Sequence, residues 1–533
     1  MRERPGTSVH RRHDGGAGAI RTDTLTFHLP ARIPNDSVYL WTEFDTYFGN
    51  NDRGQLRAHE IRADERGNVA FAGWTDDGDL PVTPNAYQPN SNLPVAWDPT
   101  SIVAYYGRLN CDGIHADYLS YYGTGQRRAM RLGKFSIGPK GFYLLKAIPH
   151  DSLEIAFHTP VGEALEFRYP LDTAFVYNWR QGLSRFDTSG RLVYRSWLSA
   201  KTLPNYNPGW GHTGVRIGAD DCVYIWGYGT DSLPYIQPGV FIDTVPSGVD
   251  RAPFLLKLTP ECDSVVYGTY LPDSTWIGDV DADAMGFASI VGQTKKAMFP
   301  VKNSWQPSLR DTAVLGDLFV MRLSPSGDTL VFSTYLGGSH FESAHGFQYI
   351  YDSDNNYGYR CTRVTNDGRT YVAGLTTSFD LPLHNPLQTT YRSWEMIGNR
   401  HPDLALAGFG PDGDILFSSY WGGDGREEPI TMDLTSCGDL LITGYTFSRD
   451  FPLVHSPAYA GTFSTTTGVE SKHFMLLIDP EQVAMHASLL FPDDLYTTDL
   501  HYTENGYMHR IGFASGGFPV FNGFQDRAHS PGS

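Results

Sequence analysis

The chain has 533 residues, and its 59 acidic residues against 41 basic ones give a net charge of −18. An acidic balance argues against binding to a phosphate backbone, and the sequence has no run of about 18 apolar residues that would predict a membrane-spanning helix. Its 56 glycines and 34 prolines are typical of a folded chain with many turns. Nucleic-acid binding and membrane insertion are therefore not expected.

Residues 1–21 are basic and lack the apolar stretch of a secretory signal, so we expect a flexible tail there. The five cysteines lie far apart and form no Cys-x-x-Cys pair, which leaves a structural zinc site without a framework.

A pair of short strands joined by a tight turn recurs seven times along the chain. Its clearest copy, LFVMRLSPSGDTLVFSTYLGG at 318–338, has two alternating runs of β-forming residues around a Ser-Gly-Asp turn. The other copies begin at Leu25, Ser101, Gly182, Phe254, Leu404 and Phe474. Seven occurrences indicate an internal repeat, so the fold is assigned by repeat unit.

A second hairpin with a stereotyped exit, read in IRADERGNVAFAGWTDDGDLP, follows most copies of the first. Its copies begin at Ile61, Val215, Val280, Met432 and, more weakly, Met508. In the unit after residue 318 an insertion around 351–359 precedes this hairpin, and in the unit after residue 101 the hairpin FSIGPKGFYLLKAIP lacks the exit. Each unit thus contains four short strands in about 70 residues.

Four antiparallel strands per unit favour radial blades over a sandwich or a helical solenoid. The sequence predicts an all-β, seven-bladed β-propeller over residues 22–523, with four antiparallel strands per blade and a C-terminal tail at 524–533. We expect the closing blade to be shared between the N- and C-terminal strands, with 507–513 paired to 24–29. The connection 150–180 alternates apolar and polar residues and should add a β-hairpin or small sheet.

The strings FVMRLSPSGDTLVFSTYLGG, GRTYVAGLTTSFDLP and GNVAFAGWTDDGDLPVTPNAYQP resemble the bacterial seven-bladed β-propeller repeat family, the SBBP repeat proteins. The resemblance covers residues 22–523 and rests on two hairpins and an Asp-Phe/Leu-Pro exit that recur in register. It implies a bacterial protein that is secreted or lies on the cell surface. It implies no particular chemistry, because fold resemblance does not carry function.

In such a blade the tight turns lie on one face and the longer connections lie on the other. We expect the ligand on the long-loop face, because loops on a rigid scaffold carry binding residues. Aspartates recur at one position of these connections, and we interpret them as turn or inter-blade acceptors. They are Asp52, Asp273, Asp424 and Asp493.

His340, Glu342 and His345 depart from the repeat and place two imidazoles and a carboxylate within six residues of one connection. Such groups bind transition metals or transfer protons near neutral pH. The alternative is that they are solvated loop residues. No catalytic residue is assigned, and these three are the candidates if the protein is an enzyme.

Four tryptophans fall in predicted connections on the long-loop face: Trp97, Trp210, Trp305 and Trp394. Aromatic faces suit sugar rings and partner contacts, so these residues are ligand-binding candidates, together with Arg426 of a charged loop. The alternatives are that the tryptophans pack inward over the blades and that Arg426 is solvated.

Two acidic strings suggest calcium, DVDADA from Asp279 and DSDNNYG from Asp352. The first overlays the first tight turn of other units, so turn chemistry explains it. The second lies in an insertion, and Asp352, Asp354 and Asn356 form a weak calcium candidate, although Arg363 at the twelfth position excludes an EF-hand. No metal site is assigned, and no other cofactor is expected.

These observations favour a noncatalytic binding or assembly module of a bacterial cell-surface or secreted protein, with a surface protein or a glycan as partner. The runner-up is a propeller enzyme, a hydrolase or lyase, that acts on extracellular polysaccharide. The location follows from the family resemblance, while the visible N-terminus shows no signal.

Overall fold

The computed structural model describes residues 25–28, 56–64, 66–75, 78–91, 101–111, 115–127, 134–138, 141–149, 179–197, 214–229, 233, 235–245, 249, 252–311, 316–344, 360–393, 395–396, 399–456, 471–491, 495–503 and 507–514. Within these residues every regular element is a β-strand, and there is no helix. The all-β prediction is confirmed for the described part of the chain. The described residues therefore include no helix long and apolar enough to cross a membrane.

The strands in chain order are β1 (Leu25–His28), β2 (Leu56–Ala63), β3 (Val69–Thr75), β4 (Ser101–Leu109), β5 (Ala116–Arg127), β6 (Lys134–Gly138), β7 (Gly141–Pro149), β8 (Trp179–Phe186), β9 (Leu192–Trp197), β10 (Gly214–Ile217), β11 (Val223–Gly229), β12 (Ala252–Leu258), β13 (Val265–Tyr270), β14 (Thr275–Ala282), β15 (Ala288–Thr294), β16 (Asp317–Leu323), β17 (Leu330–Leu336), β18 (Glu342–Ser343), β19 (Thr362–Val364), β20 (Thr370–Thr376), β21 (Glu395–Met396), β22 (Asn399–Arg400), β23 (Asp403–Phe409), β24 (Ile415–Trp421), β25 (Glu427–Leu434), β26 (Leu440–Thr446), β27 (Lys472–Asp479), β28 (Ala484–Leu490), β29 (Leu495–Tyr502) and β30 (Tyr507–Ala514).

Five sheets are antiparallel and four-stranded, and in each the strands pair in sequence order: β2 to β5, β6 to β9, β10 to β13, β14 to β17 and β25 to β28. The described residues thus show five four-stranded blades of the predicted kind, where seven were predicted. Within the described residues the two remaining large sheets have five and three strands.

In the five-stranded sheet, β18 and β19 both pair with β20, which is followed by β23 and β24. The insertion predicted near 351–359 falls between β18 and β19, so it divides what would be one inner strand into two. The short strands β21 and β22 form a separate ribbon between β20 and β23.

The three-stranded sheet joins the two ends of the described chain in the order β1, β30, β29. Leu25 pairs with Arg510 and His28 pairs with Tyr507, in antiparallel register. The predicted pairing of the last strand with the N-terminal segment is confirmed. It covers an edge of β30 that would otherwise present unpaired backbone groups.

The innermost strands contact one another in the order β2, β6, β10, β14, β19, β25, β29 and back to β2. Apolar side chains fill the space between successive sheets; one cluster joins Tyr224 and Leu255 of one sheet to Ile277 and Phe319 of the next. Antiparallel sheets arranged in this way around a common hub form a β-propeller.

Glycines in the outer tight turns allow close contact between neighbouring sheets. Gly327 has a φ of +70°, and a Cβ there would meet the ring of Tyr267 in the preceding sheet. Gly413 lies in the same way against Phe332. Only glycine combines a positive φ with so close an approach, which is why the turn reads Ser-Gly-Asp or Asp-Gly-Asp.

The connections from second to third strands do not simply project as loops. Three of them run along the free edge of the outermost strand of their own sheet, where Lys302 pairs with Ser333, His384 with Ser418 and Val454 with Ser488. These segments cover the outer edges, so they are part of the scaffold rather than of the predicted ligand-binding face.

The connection predicted to carry additional β structure lies outside the described residues from 150 to 178. Its ends are paired strands, since β7 and β8 remain in register up to Pro149 and Trp179. The predicted tails, 1–21 and 524–533, also lie outside the described part.

Candidate functional site

Charged side chains of the innermost strands meet at the hub. Arg360, two residues before β19, pairs with Glu60 of β2 and lies 3.9 Å from the Asp499 carboxylate of β29. Arg62 contacts the same two carboxylates, at 3.5 and 3.4 Å. Because β19 and β2 are not neighbours in the ring, Arg360 spans the hub.

A second set of ion pairs links adjacent inner strands. Arg216 of β10 lies 3.3 Å from Asp279 and 3.4 Å from Asp281 of β14, and Arg363 lies 3.0 Å from Asp433 of β25. All of these side chains are almost completely buried. Buried charges of this kind are tolerated when they are paired and hydrogen-bonded.

The hub carboxylates also accept hydrogen bonds from backbone N–H groups of neighbouring inner strands. The pairs are Ile61 N to Asp499 (2.9 Å), Ile137 N to Glu60 (3.0 Å), Thr362 N to Asp279 (3.1 Å), Val364 N to Asp281 (2.9 Å) and Tyr502 N to Asp433 (3.0 Å). These bonds hold adjacent sheets together near the axis.

Burial is the largest influence on the pKa of Glu60 and of Asp279. It raises the pKa of Glu60 to about 7, with Asp499 adding to the rise and Arg360 opposing it. It raises the pKa of Asp279 to about 7 as well, although Arg216 acts in the other direction. Loss of solvent disfavours a carboxylate more than these arginines favour it.

A cavity of about 680 Å³ opens at the tight-turn end of the hub. Its walls come from the sheets that begin with β2, β6, β25 and β29. The lining residues are Arg62, Ala63, Asp64, Arg66, Asn68, Ala70, Arg108, Tyr118, Ile137, Gly138, Gly141, Thr188, Asp433, Leu434, His501, Tyr502 and Thr503. The cavity therefore lies on the face opposite the one predicted to bind the ligand.

His501 and Asp433 form the most specific polar contact in this cavity. His501 Nδ1 lies 3.0 Å from Asp433 Oδ2, and about a fifth of the His501 side chain is exposed. Burial alone would raise the pKa of Asp433, but the bonds from His501 and Tyr502 and the charge of Arg360 lower it overall. Asp433 therefore presents a stable negative charge to the imidazole.

The predicted histidine and glutamate site is only partly described. His340 is half-buried, and its Nδ1 lies 2.9 Å from Ser339 Oγ. Glu342 is completely buried and does not line the cavity, and His345 lies outside the described residues. The structure does not bring His340 and Glu342 together with the arginines and tyrosine of the cavity.

Glu342 does not depart from the repeat, so that interpretation was wrong. It accepts hydrogen bonds from Thr376 Oγ1 at 2.7 Å and from Gly338 N at 3.2 Å. Glu427 of the next sheet accepts from Thr446 Oγ1 at 2.7 Å and from Gly423 N at 3.4 Å. Both glutamates fix the connection that leads to an inner strand, which is a structural role.

Trp305 also occupies a repeat position. It precedes Gln306, as Leu387 precedes Gln388 and Tyr87 precedes Gln88, and it packs against the core of its sheet. This position supports the alternative of inward packing. Trp97, Trp210 and Trp394 lie outside the described residues.

Arg426 is mostly buried and does not line the cavity. Its Nε lies 3.0 Å from Glu428 Oε1, and its guanidinium lies 4.6 Å from the centre of the Phe447 ring. These contacts hold the side chain against its own sheet.

The two calcium strings have different outcomes. Asp352, Asp354 and Asn356 lie outside the described residues. Asp279 and Asp281 lie within β14 and face Arg216, so assigning that whole string to a turn was wrong. Only Asp283 caps the turn, by accepting from Met285 N and Phe287 N at 2.9 and 3.0 Å.

The sequence interpretation missed the cavity residues Arg62, Asp433 and His501. The sequence did contain an indication of this site. The innermost strands of two sheets carry charged residues at alternate positions where apolar ones are expected, as in Glu-Ile-Arg at 60–62 and Asp-Leu-His at 499–501. Residues that face a hub from several repeats converge even when they are far apart in sequence.

No family model matches the chain, and no curated protein matches it. Among solved structures it is similar to an acylaminoacyl peptidase of Pyrococcus horikoshii, with 8% identity and a TM-score of 0.37 over 84% of this chain and 48% of that chain. It thus spans about half the length of the peptidase.

Two further solved structures are similar to the chain. The hemagglutinin-neuraminidase of parainfluenza virus 5 shows 10% identity and a TM-score of 0.32 over 93% of this chain and 96% of that chain. A Bacteroides caccae protein of unknown function shows 8% identity and a TM-score of 0.31 over 62% and 79%. The β-propeller assignment here rests on strand pairing and not on these likenesses.

Proposed function

We propose that the chain is a noncatalytic binding module whose ligand, a glycan or another polar molecule, occupies the hub cavity. The observation that carries this proposal is the cavity itself, where three arginines, His501 and Tyr118 converge. Its volume of about 680 Å³ lies within the roughly 300–1,000 Å³ typical of ligand pockets. Apolar walls with a few convergent polar groups give such pockets both affinity and orientation.

The proposal includes a seven-bladed ring that belongs to the bacterial seven-bladed β-propeller repeat family. The unbroken order of inner-strand contacts supports counting the divided sheet and the shared sheet as blades. With this membership we propose a secreted or cell-surface location and a surface glycan or surface protein as partner.

A glycan array tests the function with one blocking variant and one matched control. Thr188 is exposed in a tight turn at the cavity mouth, so Thr188→Trp fills the mouth without entering the core. Asp412 is exposed in the corresponding turn of another sheet and does not line the cavity, so Asp412→Trp is the control. We expect array binding to be lost only in Thr188→Trp.

Two results would contradict this function. Glycan binding that survives Thr188→Trp would place the ligand elsewhere, for example on the long-loop face. A bound glycan recovered as shorter or unsaturated products would show that the protein is an enzyme.

A hydrolase or lyase acting on polysaccharide is the second candidate, and the contact between His501 and Asp433 favours it. A carboxylate that holds one imidazole nitrogen orients the other for proton transfer. On this alternative, products form from the glycans that bind, and His501→Gln abolishes their formation while binding persists. Intact glycans after long incubation would exclude it.

A further inference from the structure

Asp433 has no remaining capacity to accept a hydrogen bond from a ligand. Its Oδ1 accepts from Arg363 Nε and Leu434 N, each at 3.0 Å. Its Oδ2 is within 3.0 Å of both His501 Nδ1 and Tyr502 N. A carboxylate offers about four lone-pair sites, so the protein occupies all of them.

The other cavity carboxylate, Asp64, is occupied in the same way. Its Oδ1 accepts from Arg66 N at 2.9 Å and from Asn68 N at 3.0 Å. Its Oδ2 accepts from Asn68 Nδ2 at 2.9 Å and also pairs with Arg108. Neither acidic residue of the cavity is therefore available to bind a cation or a sugar hydroxyl.

Three arginines and two aspartates line the cavity, so the lining itself holds one more basic than acidic side chain. Asp433 pairs with Arg363, while Arg108 pairs with Asp64 and also, at 3.6 Å, with Asp117, which does not line the cavity. Two arginines, Arg62 and Arg360, balance the carboxylates of Glu60 and Asp499. Such pairs contribute little net charge to the cavity.

Arg66 is the cation that remains after this pairing. Its side chain is exposed on the cavity wall, and in the described part of the chain no ion pair involves it. His501 adds a second polar group to the cavity wall, with its Nδ1 bound to Asp433. A positive excess in one cavity contrasts with the net charge of −18 of the whole chain.

From this arrangement we infer that the ligand of the hub cavity carries an anionic group, a carboxylate or a sulfate, that binds Arg66 in the same cavity as His501. This inference rests on the proposed function and specifies its ligand class. Guanidinium groups bind carboxylate and sulfate oxygens through charge-assisted hydrogen bonds, which are stronger than neutral ones. The shared chemistry fits a sugar acid or a sulfated sugar.

Isothermal titration of the full chain with D-glucuronate, D-glucose 6-sulfate and D-glucose tests the inference. We expect one of the two anions to bind at least about tenfold more tightly than glucose, and Arg66→Gln to weaken it by about tenfold. The anion that binds distinguishes carboxylate from sulfate. Arg191→Gln is the matched control, because Arg191 is exposed in a nearby tight turn, pairs with Asp187 and does not line the cavity.

Equal affinity for glucose, unchanged affinity in Arg66→Gln, or no binding of either anion would each overturn the anionic class. The proposed function is judged separately by Thr188→Trp on the array. If glucose binds and Thr188→Trp abolishes its binding, the cavity is the site and only the ligand class is wrong. If an anion binds equally to wild type and Thr188→Trp, both proposals are wrong.

Discussion

Glu342 and Glu427 are buried carboxyl groups, and in the described residues neither forms an ion pair with a basic side chain. Each lies beside a second buried carboxyl, Asp317 or Asp403. Burial raises the pKa of Glu342 well above its ordinary value, against the hydrogen bonds from Ser378 and Thr376. A carboxyl group in this setting is held in the native state as the neutral acid.

This protonation predicts the effect of Glu342→Gln. The native state of the wild type binds a proton that the unfolded chain releases above the ordinary glutamate pKa, so wild-type stability falls as pH rises through that window. Glutamine resembles the neutral acid but does not titrate, so the variant lacks this pH-dependent loss of stability. We therefore expect the variant to gain stability relative to wild type between about pH 5 and pH 8, by urea unfolding at both values.

Asp412→Asn is the control, because it removes an exposed carboxyl in a tight turn. Its difference from wild type should stay within about 0.5 kcal/mol at both pH values. If Glu342→Gln unfolds the protein or shows no change with pH, the carboxyl is ionised in the native state.

At the scale of elements, one glutamine fixes the edge segment in three different sheets. Gln306 Oε1 accepts from Gly337 N at 3.0 Å, Gln388 from Gly422 N at 3.2 Å and Gln88 from Gly123 N at 2.9 Å. Each side chain connects the segment that covers the outer edge to the end of the outermost strand. This repeated geometry gives the glutamine a structural role in each of the three sheets.

Gln306→Ala should destabilise the protein by about 1–3 kcal/mol. The change leaves Gly337 N without its acceptor and removes the donor that lies 3.0 Å from Asp317 Oδ2, both in buried surroundings. Chemical denaturation measures the loss. Gln482→Ala, at an exposed turn, should change stability by less than about 0.5 kcal/mol, and an equal loss in both variants would contradict the proposed fixing role.

The elements that the sequence predicted well are local. A hairpin depends on alternating side chains and on turn residues such as Gly327, all within about 20 positions, so its pattern is visible in one repeat. The cavity was not predicted, because Arg62, Asp433 and His501 converge only when sheets far apart in sequence are placed around a hub. Glu342 was misjudged because its equivalence to Glu427 is clear only from their identical partners.

At the scale of the whole molecule, Arg360 connects sheets that are not neighbours. It contacts Glu60 and Asp499, which belong to the sheet beginning with β2 and to the shared sheet that joins the chain ends. Its removal would leave two buried carboxylates near one another, with Arg62 as their remaining ion-pair partner among the described residues. The cost of breaking a buried pair in this way is larger than the net gain from forming it.

Arg360→Met should destabilise the protein by about 3–5 kcal/mol near pH 8. The pKa of Glu60 is already about 7, and loss of Arg360 raises it further, so the variant binds a proton that relieves the uncompensated charge at lower pH. The deficit relative to wild type should therefore shrink towards pH 5, measured by unfolding at both values. Adding Glu60→Gln should recover part of the loss at pH 8, and a deficit independent of pH would contradict this account.

The shared sheet makes a final prediction about the closure of the ring. β1 pairs four residues, Leu25 to His28, with β30, and that pairing covers the outer edge of the last strand. Deletion of residues 1–29 should lower stability by about 2–4 kcal/mol, at roughly 1 kcal/mol per backbone hydrogen bond. It should also cause concentration-dependent association, because the exposed edge can pair with another chain.

Deletion of residues 1–21 keeps β1 and is the matched control, which should remain as stable as the full chain. Adding a peptide of residues 22–30 to the variant that lacks residues 1–29 should raise the thermal stability of that variant and return its mass, measured by light scattering, to that of the full chain. If both deletions are equally stable and equally free of association, β1 does not close the ring.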